Sequence, residues 1–187
     1  LSKIYNTIII GAGPAGLATA SSLVNNGDTN FLLLERGNSL ATRQRNAELD
    51  IAAGIGGAGL FSDGKFSFFP SASMLWSMLD KKVLHTSYNW LTEVLANYDI
   101  SVPAFNTKVS NINVTANFKS YPSYYLNLAQ RYALIQALHR NYTANIHNNT
   151  EIINITKIKN NYYLETCNGN FATKHLVIAT GRWGHIN

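Results

Sequence analysis

The sequence predicts an α/β fold: a Rossmann-like parallel sheet that carries a three-stranded β-meander and a helical insertion. Three observations point there. A β-branched run, Thr7-Ile8-Ile9-Ile10, enters the glycine pattern Gly11-x-Gly13-x-x-Gly16 and then a helical stretch. A second apolar run, Phe31-Leu32-Leu33-Leu34, stops at an acid, Glu35. Towards the other end, three short strand-like segments with asparagine-rich turns lead into a last apolar run, Leu176-Val177-Ile178-Ala179.

The first strand covers about Tyr5 to Ile10 and the first helix about Pro14 to Asn25, with Pro14 tolerated in its opening turn. Gly11 permits the sharp turn, Gly13 has no side chain to hold a pyrophosphate off the backbone, and Gly16 lets the helix approach the strand. The helix dipole and the N–H groups around Pro14 and Ala15 then face an anion. Gly27 reads as the left-handed cap that closes the helix. The second strand runs from Asn30 to Glu35. Glu35 lies 24 residues after Gly11, near the offset of about 20 at which an acid accepts from a ribose hydroxyl. A 2′-phosphate there would meet like charge.

Residues 36–53 form a polar crossing with Arg36, Arg43 and Arg45. Arg43 or Arg45 either reaches a phosphate or stands in solvent. A second glycine cluster, Gly54-Ile55-Gly56-Gly57-Ala58-Gly59, runs into Leu60-Phe61-Ser62-Asp63-Gly64-Lys65. So much glycine suits neither helix nor strand. Ile55, Leu60 and Phe61 predict a packed loop whose backbone N–H groups form an anion-binding nest. Residues 71–98 read as helical, with Met74, Leu75, Met78 and Leu79 on one face and Tyr88, Leu91, Val94, Leu95 and Tyr98 on another. Trp76 and Trp90 are expected as core or interface aromatics. Alternation over 107–118 predicts a short strand, and Ser123 a cap for a helix from about Tyr124 to Arg140. Meander strands are expected at 151–157, 162–166 and 171–173, with turns at Asn160-Asn161 and Asn168-Gly169. The closing strand 176–179 stops at Thr180-Gly181.

The chain has 187 residues, 46% of them hydrophobic, enough for one core with a large insertion. No apolar run approaches the length of a transmembrane helix, about 18 residues or more. A single cysteine, Cys167, leaves neither an internal disulfide nor a C-x-x-C pair, so a reducing, cytoplasmic setting is expected. The net charge of +5 is scattered rather than clustered; it suits an anionic cofactor and argues against nucleic acid. Five histidines are dispersed without metal-ligand spacing, and no acid–base dyad stands out. Four N-x-[ST] matches, at Asn113, Asn141, Asn148 and Asn154, are what chance gives in so asparagine-rich a chain.

Together, Gly11/Gly13/Gly16 with Glu35, the meander, and Ala179-Thr180-Gly181 at the end of the last strand resemble the FAD-binding part of the two-dinucleotide-binding-domain flavoproteins, the glutathione-reductase-like superfamily. Within it, G-G-A-G-L-F-S-D-G-K at 56–65 and Glu35-Arg36-Gly37 look like a poorly characterised group of FAD-dependent dehydrogenases. Disulfide reductases would carry C-x-x-x-x-C and amine oxidases R-x-G-G-R, and aromatic hydroxylases would want D-G in place of Ala179-Thr180-Gly181; all three are missing here. The resemblance covers nearly the whole chain, with residues 66–118 unmatched and read as an insertion at about 70–120 between core segments 1–65 and 124–187.

The resemblance implies FAD, with the helix that starts at Pro14 holding the pyrophosphate and Glu35 the adenosine ribose. It implies backbone contacts from Ile152 to adenine, and places Gly57, Ala58 and Gly59, with Ser62 and Asp63, near the ribityl chain or ring. Ala179, Thr180 and Gly181 pass the flavin. Lys65 is the expected tuning charge near flavin N1/O2, or else the partner of Asp63; Trp183 and His185 follow on the same loop. The activity implied is hydride transfer through flavin N5, with substrate and electron partner open. Superfamily members also have a G-D segment near the C-terminus, and this sequence has none after Gly181. A fragment, or one half of a split enzyme without its C-terminal substrate domain, is therefore expected. Two rival readings remain: a non-catalytic binding protein like the GDP-dissociation inhibitors, and an NAD-binding domain.

Overall fold

The structure, a computed structural model, describes residues 3–69, 71, 80–105 and 121–182. It divides the chain into two compact units, Leu1–Gly64 with Leu128–Asn187, and Lys65–Asn127.

The first unit is built on a six-stranded sheet. Its strands are β1 (Ile4–Ile10), β2 (Phe31–Leu34), β5 (Ile146–His147), β6 (Ile152–Ile158), β7 (Asn161–Thr166) and β8 (Gly169–Ile178), in the order β5-β2-β1-β8-β7-β6. β3 (Lys65–Ser67) and β4 (Ser123–Tyr125) belong to the second unit. β5, β2, β1 and β8 are mutually parallel, whereas β8, β7 and β6 form an antiparallel meander. The pleat alternates which face each residue enters. Ile8, Ile10, Leu32 and Leu34 share one face with Leu164 of the meander. Ile9, Phe31 and Leu33 enter the other, packed with Leu17 and Ala20 of α1 (Pro14–Asn25) and with Ile135 and Tyr142. Both faces are covered, so these strands are continuously apolar. Each fully buried aliphatic contributes about 1.5–3 kcal/mol.

The sequence divides the end of the sheet differently from the structure. Residues 171–173 and 176–179 read as two strands because Lys174 and His175 interrupt the apolar pattern. They belong to one strand, β8, whose first half pairs with β7 (Gly169 to Thr173) and whose second half pairs with β1 (Ala172 to Ile178). Lys174 and His175 are exposed. Thr173 Oγ1 holds the crossover by donating to Tyr5 O at 3.2 Å and His175 O at 2.9 Å. Both meander reversals fall one residue early: Lys159 takes the left-handed position at φ 54°, and Thr166 faces Gly169.

The crossing 36–53 contains a one-turn helix, α2 (Glu48–Ala52), too short to show periodicity. β5 is also too short to read from sequence.

The second unit has α3 (Lys81–Ala96) and a hairpin-like pair, β3 (Lys65–Ser67) antiparallel to β4 (Ser123–Tyr125). Asp80 starts α3, its carboxylate accepting from Lys82 N at 2.7 Å and Val83 N at 3.3 Å. Leu84, Tyr88 and Leu95 form its buried face. Phe68 meets Tyr88 and Tyr124 edge-on at 6.3 and 5.9 Å. The helix expected from Tyr124 is corrected here. Residues 123–125 pair with β3, and α4 (Leu128–His139) starts three residues later, in the first unit. Met74, Leu75, Trp76, Met78 and Leu79, the strand expected over 107–118, and Trp183 with His185 lie outside the described residues.

Candidate functional site

The parallel strands β1, β2 and β8 end around one cavity of 240 Å³, at the carboxyl edge where α/β sheets take ligands. Gly11, Gly13, Pro14 and Ala15 line it from the β1–α1 turn, and Glu35 and Arg36 from the end of β2. The second glycine cluster contributes Gly57, Ala58 and Gly59, the meander Ile152, and the last strand's end Ala179, Thr180 and Gly181. These sequence-predicted residues, scattered over the chain, thus share one wall.

Backbone geometry explains why the glycines are needed. Gly11 has φ 101°, and a Cβ on it would lie 2.5 Å from Ala179 O. The glycine turn and the A-T-G segment therefore touch through main chain. A Cβ on Gly57, at φ 56°, would sit 3.0 Å from Gly13 Cα, so the two glycine loops are stacked as closely as main chain allows. Gly56 N also donates to Ala12 O at 2.8 Å. α1 opens at this junction with Gly13 as N-cap; no side chain caps it and no acid stands in its first turn. Its first-turn N–H groups are a donor set for an anion.

Glu35 is buried, 5% exposed. Its Oε2 accepts from Ala12 N at 2.7 Å, and its Oε1 from Gly37 N at 2.9 Å and Gly54 N at 2.8 Å. One carboxylate thus ties the glycine turn, the end of β2 and the start of the second glycine loop. A carboxylate has about four acceptor positions, so a single position on Oε2 is left for the cavity that Glu35 lines.

Arg43 is neither at a phosphate nor in solvent. It is 4% exposed and does not line the cavity. Nη1 donates to Ile55 O at 2.8 Å and Gly57 O at 2.9 Å, Nη2 donates to Asp50 O, and the guanidinium lies 4.9 Å from the Phe61 ring. Burial lowers its pKa from the ordinary arginine value, and the charges of Asp50 and Glu35 oppose that. Asp50 completes the clasp, accepting from Asn38 Nδ2 at 2.9 Å and Gln44 N at 2.7 Å. The second glycine loop is therefore held by Arg43 and Glu35 from within.

Gly16 is buried one turn into α1, where a Cβ would fall 1.9 Å from Gly11 O. Ser62 fixes its own turn: it donates to Gly59 O at 2.8 Å and accepts from Gly64 N at 3.2 Å. Asp63 is exposed. Neither Ser62 nor Asp63 lines the cavity, whose lining comes wholly from the first unit. Lys65 belongs to the second unit, its Nζ 5.0 Å from the Tyr121 ring and 5.9 Å from that of Tyr125. There its pKa is raised: desolvation lowers it, and hydrogen bonding to Tyr121, with a smaller part from Tyr125, outweighs that.

Sequence reasoning missed Ala52, Ala53, Thr150, Glu151 and Arg182, which also line the cavity. The available signal was the Asn148-Asn149-Thr150 turn. Asn149 takes φ 52°, which brings Thr150 N onto Glu35 O at 2.8 Å and sets Glu151 beside the adjoining wall. Among the described residues no group of His, Cys, Asp and Glu is placed to hold a metal, and no helix is long and apolar enough to cross a membrane.

Residues 9–81 match the family model of an NAD(P)-binding Rossmann-like domain. No curated protein matches the chain. Among solved structures, one similar fold is cyclohexanone monooxygenase from Rhodococcus sp. Phi1 bound to NADP+, at 13% identity and TM-score 0.54, covering 100% of this chain and 28% of that one. A second is OTEMO in complex with FAD and NADP, at 12% identity and TM-score 0.56, with the same coverages of 100% and 28%. A third is oxidised steroid monooxygenase bound to NADP, at 13% identity and TM-score 0.52, covering 99% and 27%. The chain thus spans under a third of the length of these structures. What the likeness establishes is a Rossmann-like α/β fold with mixed sheet.

Proposed function

We propose that this chain is the FAD-binding portion of a flavin-dependent oxidoreductase, of the kind with a G-G-A-G-x-F-S-D-G-K loop. The observation that carries the reading is one cavity lined both by the junction of the uncapped α1 N-terminus with Gly57 and by Glu35. The donor set suits a pyrophosphate, and the remaining acceptor position of Glu35 suits one ribose hydroxyl. At 240 Å³, the cavity falls below the range of about 300–1,000 Å³ that encloses a whole drug-sized ligand. That size favours the ADP half, with the flavin lying beyond the described wall.

FAD, when bound, supplies acceptance of a hydride at its N5. The residues of this chain bind and orient. Ala15 and Gly16 N–H groups hold phosphate charge, Glu35 orders the ribose, and Ile152 offers main chain to adenine. Gly57 to Gly59 and Ala179 to Gly181 keep the passage clear by lacking bulk. Lys65 is the proposed tuning cation: a positive charge near flavin N1/O2 stabilises the reduced anion. Arg43 takes no part in binding. The substrate and the electron partner are not specified by these residues.

Absorbance of the purified chain, followed by titration with FAD, ADP and FMN, tests this. FAD and ADP are expected to compete for one site and FMN to bind far more weakly. FMN binding as tightly as FAD, or no uptake of either FAD or ADP, overturns the reading. In the full-length protein Lys65→Met should lower the flavin potential, and an unchanged potential removes Lys65 from the role.

The family match to an NAD(P)-binding domain favours a second reading, since the ADP half is common to NAD and FAD. Competition by NAD+ at concentrations where FAD fails to bind would select it. In either case Glu35 disfavours a 2′-phosphate, so NADP+ should compete less well than NAD+.

A further inference from the structure

We propose that the outer face of the bend in β8, together with the β6–β7 turn, docks on an anionic lipid surface. The bend follows from the register. Gly169 and Ile178 end β8 and would lie about 30 Å apart in a straight strand. Yet Ile152, on the rung of Gly169, and Ile10, on the rung of Ile178, line one cavity. β8 therefore folds back around the crossover at Thr173, with Leu164 packed against Ile8 and Ile10 on the inside.

The outside of the bend carries what the inside does not. Tyr163 follows the opposite face from Leu164, and Ala172 and Ile4 lie in register with it across the strands. Ile158 stands two residues beyond Thr156, the β6 partner of Tyr163. Ile4 is 42% exposed, Ile158 53% and Tyr163 39%. The lysines are scattered in the sequence, but all four of the first unit gather here, and all are exposed. Lys3 precedes Ile4, Lys157 and Lys159 flank Ile158, and Lys174 shares the face of Ala172, donating to Asn6 Oδ1 at 3.3 Å. Lys3 and Lys157 hold their ammonium groups 4.5 and 5.0 Å from the ring centres of Tyr5 and Tyr162. Two acids adjoin the patch: Glu165, two residues along β7 from Tyr163, and Asp28, whose Oδ1 accepts from Asn30 N. The lysines outnumber them.

This composition selects the partner. Lysine is a point charge on a flexible stem, with no fork to match to one phosphate, so it suits a diffuse layer of negative headgroups. An acidic protein or a nucleic acid would be met by the lysines alone. The bare isoleucines and the tyrosine gain only where an apolar layer lies just beneath the charge, as at a bilayer surface. The patch contains none of the residues that line the cavity, so the proposal is independent of the dinucleotide reading.

Cosedimentation of the full chain with vesicles tests it. Vesicles of phosphatidylcholine with phosphatidylserine should bind the wild type, and vesicles of phosphatidylcholine alone should not. Lys159→Gln and Lys174→Gln should each weaken binding about fivefold, the scale of one lysine at an anionic surface. Ile158→Ser should weaken it about tenfold while leaving retention on heparin, a soluble polyanion, unchanged. The comparison of the two vesicle types needs no variant to fold. Failure to bind the phosphatidylserine vesicles, equal binding to both types, or vesicle binding that Ile158→Ser leaves untouched overturns the proposal, the last by showing a patch that reads charge alone.

Discussion

Replacing Glu35 by Gln separates two roles that a ribose contact alone would merge. The substitution keeps the shape and removes the charge. Its carbonyl oxygen can turn towards Gly37 N and Gly54 N, which now bond Oε1 at 2.9 and 2.8 Å. The new amide N–H₂ then faces Ala12 N–H, which now donates to Oε2 at 2.7 Å. A charged hydrogen bond contributes about 1.5–3 kcal/mol, and a donor left unpaired in a buried place costs about 1–3 kcal/mol. The two overlap, because they describe the same lost partner, so a total of about 3 kcal/mol follows. For a chain this long, 1 kcal/mol moves the midpoint about 2–4 °C, so Tm should fall about 6–12 °C. Urea unfolding of the ligand-free chain measures the same quantity, with unchanged m showing that only the native state was touched. A loss under about 0.5 kcal/mol without ligand would refute the reasoning, and Glu35 would be a ligand contact only.

Three further outcomes are expected. Gly11→Ala should cost more than about 3 kcal/mol, since its Cβ would meet Ala179 O at 2.5 Å, whereas Gly27→Ala, at φ 79° with open space around it, should cost only about 1–2 kcal/mol of backbone strain; paired urea titrations compare them. Arg43→Lys should lose about 2–4 kcal/mol and speed amide exchange in residues 54–60, because a single ammonium cannot reach the carbonyls of Ile55, Gly57 and Asp50 together; unchanged exchange there would remove the clasp. Burial raises the Tyr142 pKa, opposed by its hydrogen bond to Ser21. The folded state therefore keeps its proton where the unfolded chain has lost it, and this contribution is whole below about pH 10 and fades as pH rises through the raised value. Tyr142→Phe should flatten the loss of stability between about pH 9 and 11, and an equal slope in both proteins would contradict the assignment.

Periodic and motif signals made the sheet centre legible. Thr7 to Ile10, Gly11 to Gly16 and Phe31 to Glu35 follow rules of one residue's neighbourhood, and α1 occupies Pro14–Asn25 as its proline and glycine signals indicate. What stayed hidden depends on distant partners. β4 reads as a helix start until β3 is beside it, since the backbone of Ser123–Tyr125 has no local reason to extend. β8 reads as two strands because its neighbour changes from β7 to β1 midway, which a run of side chains cannot display. Arg43 shows the same limit at the site. Its residue type suits a phosphate, and only the carbonyls of residues 50, 55 and 57 reveal that its Nη1 and Nη2 donors are already engaged.

That engagement changes how the cavity works. A loop with glycines at 54, 56, 57 and 59 would be loose on its own, and ordering it on a ligand would cost binding free energy. Here Arg43 holds it from below, Glu35 Oε1 takes Gly54 N, and Ala12 O takes Gly56 N. The ordering cost is met in the fold, by a buried arginine and two buried carboxylates that attract it. The glycines keep their function, close approach, without their usual freedom. Glu35 joins stability to binding through the same carboxylate, so variants there should lower both, while variants of Ala58, whose side chain lines the cavity without fixing the loop, should lower binding alone.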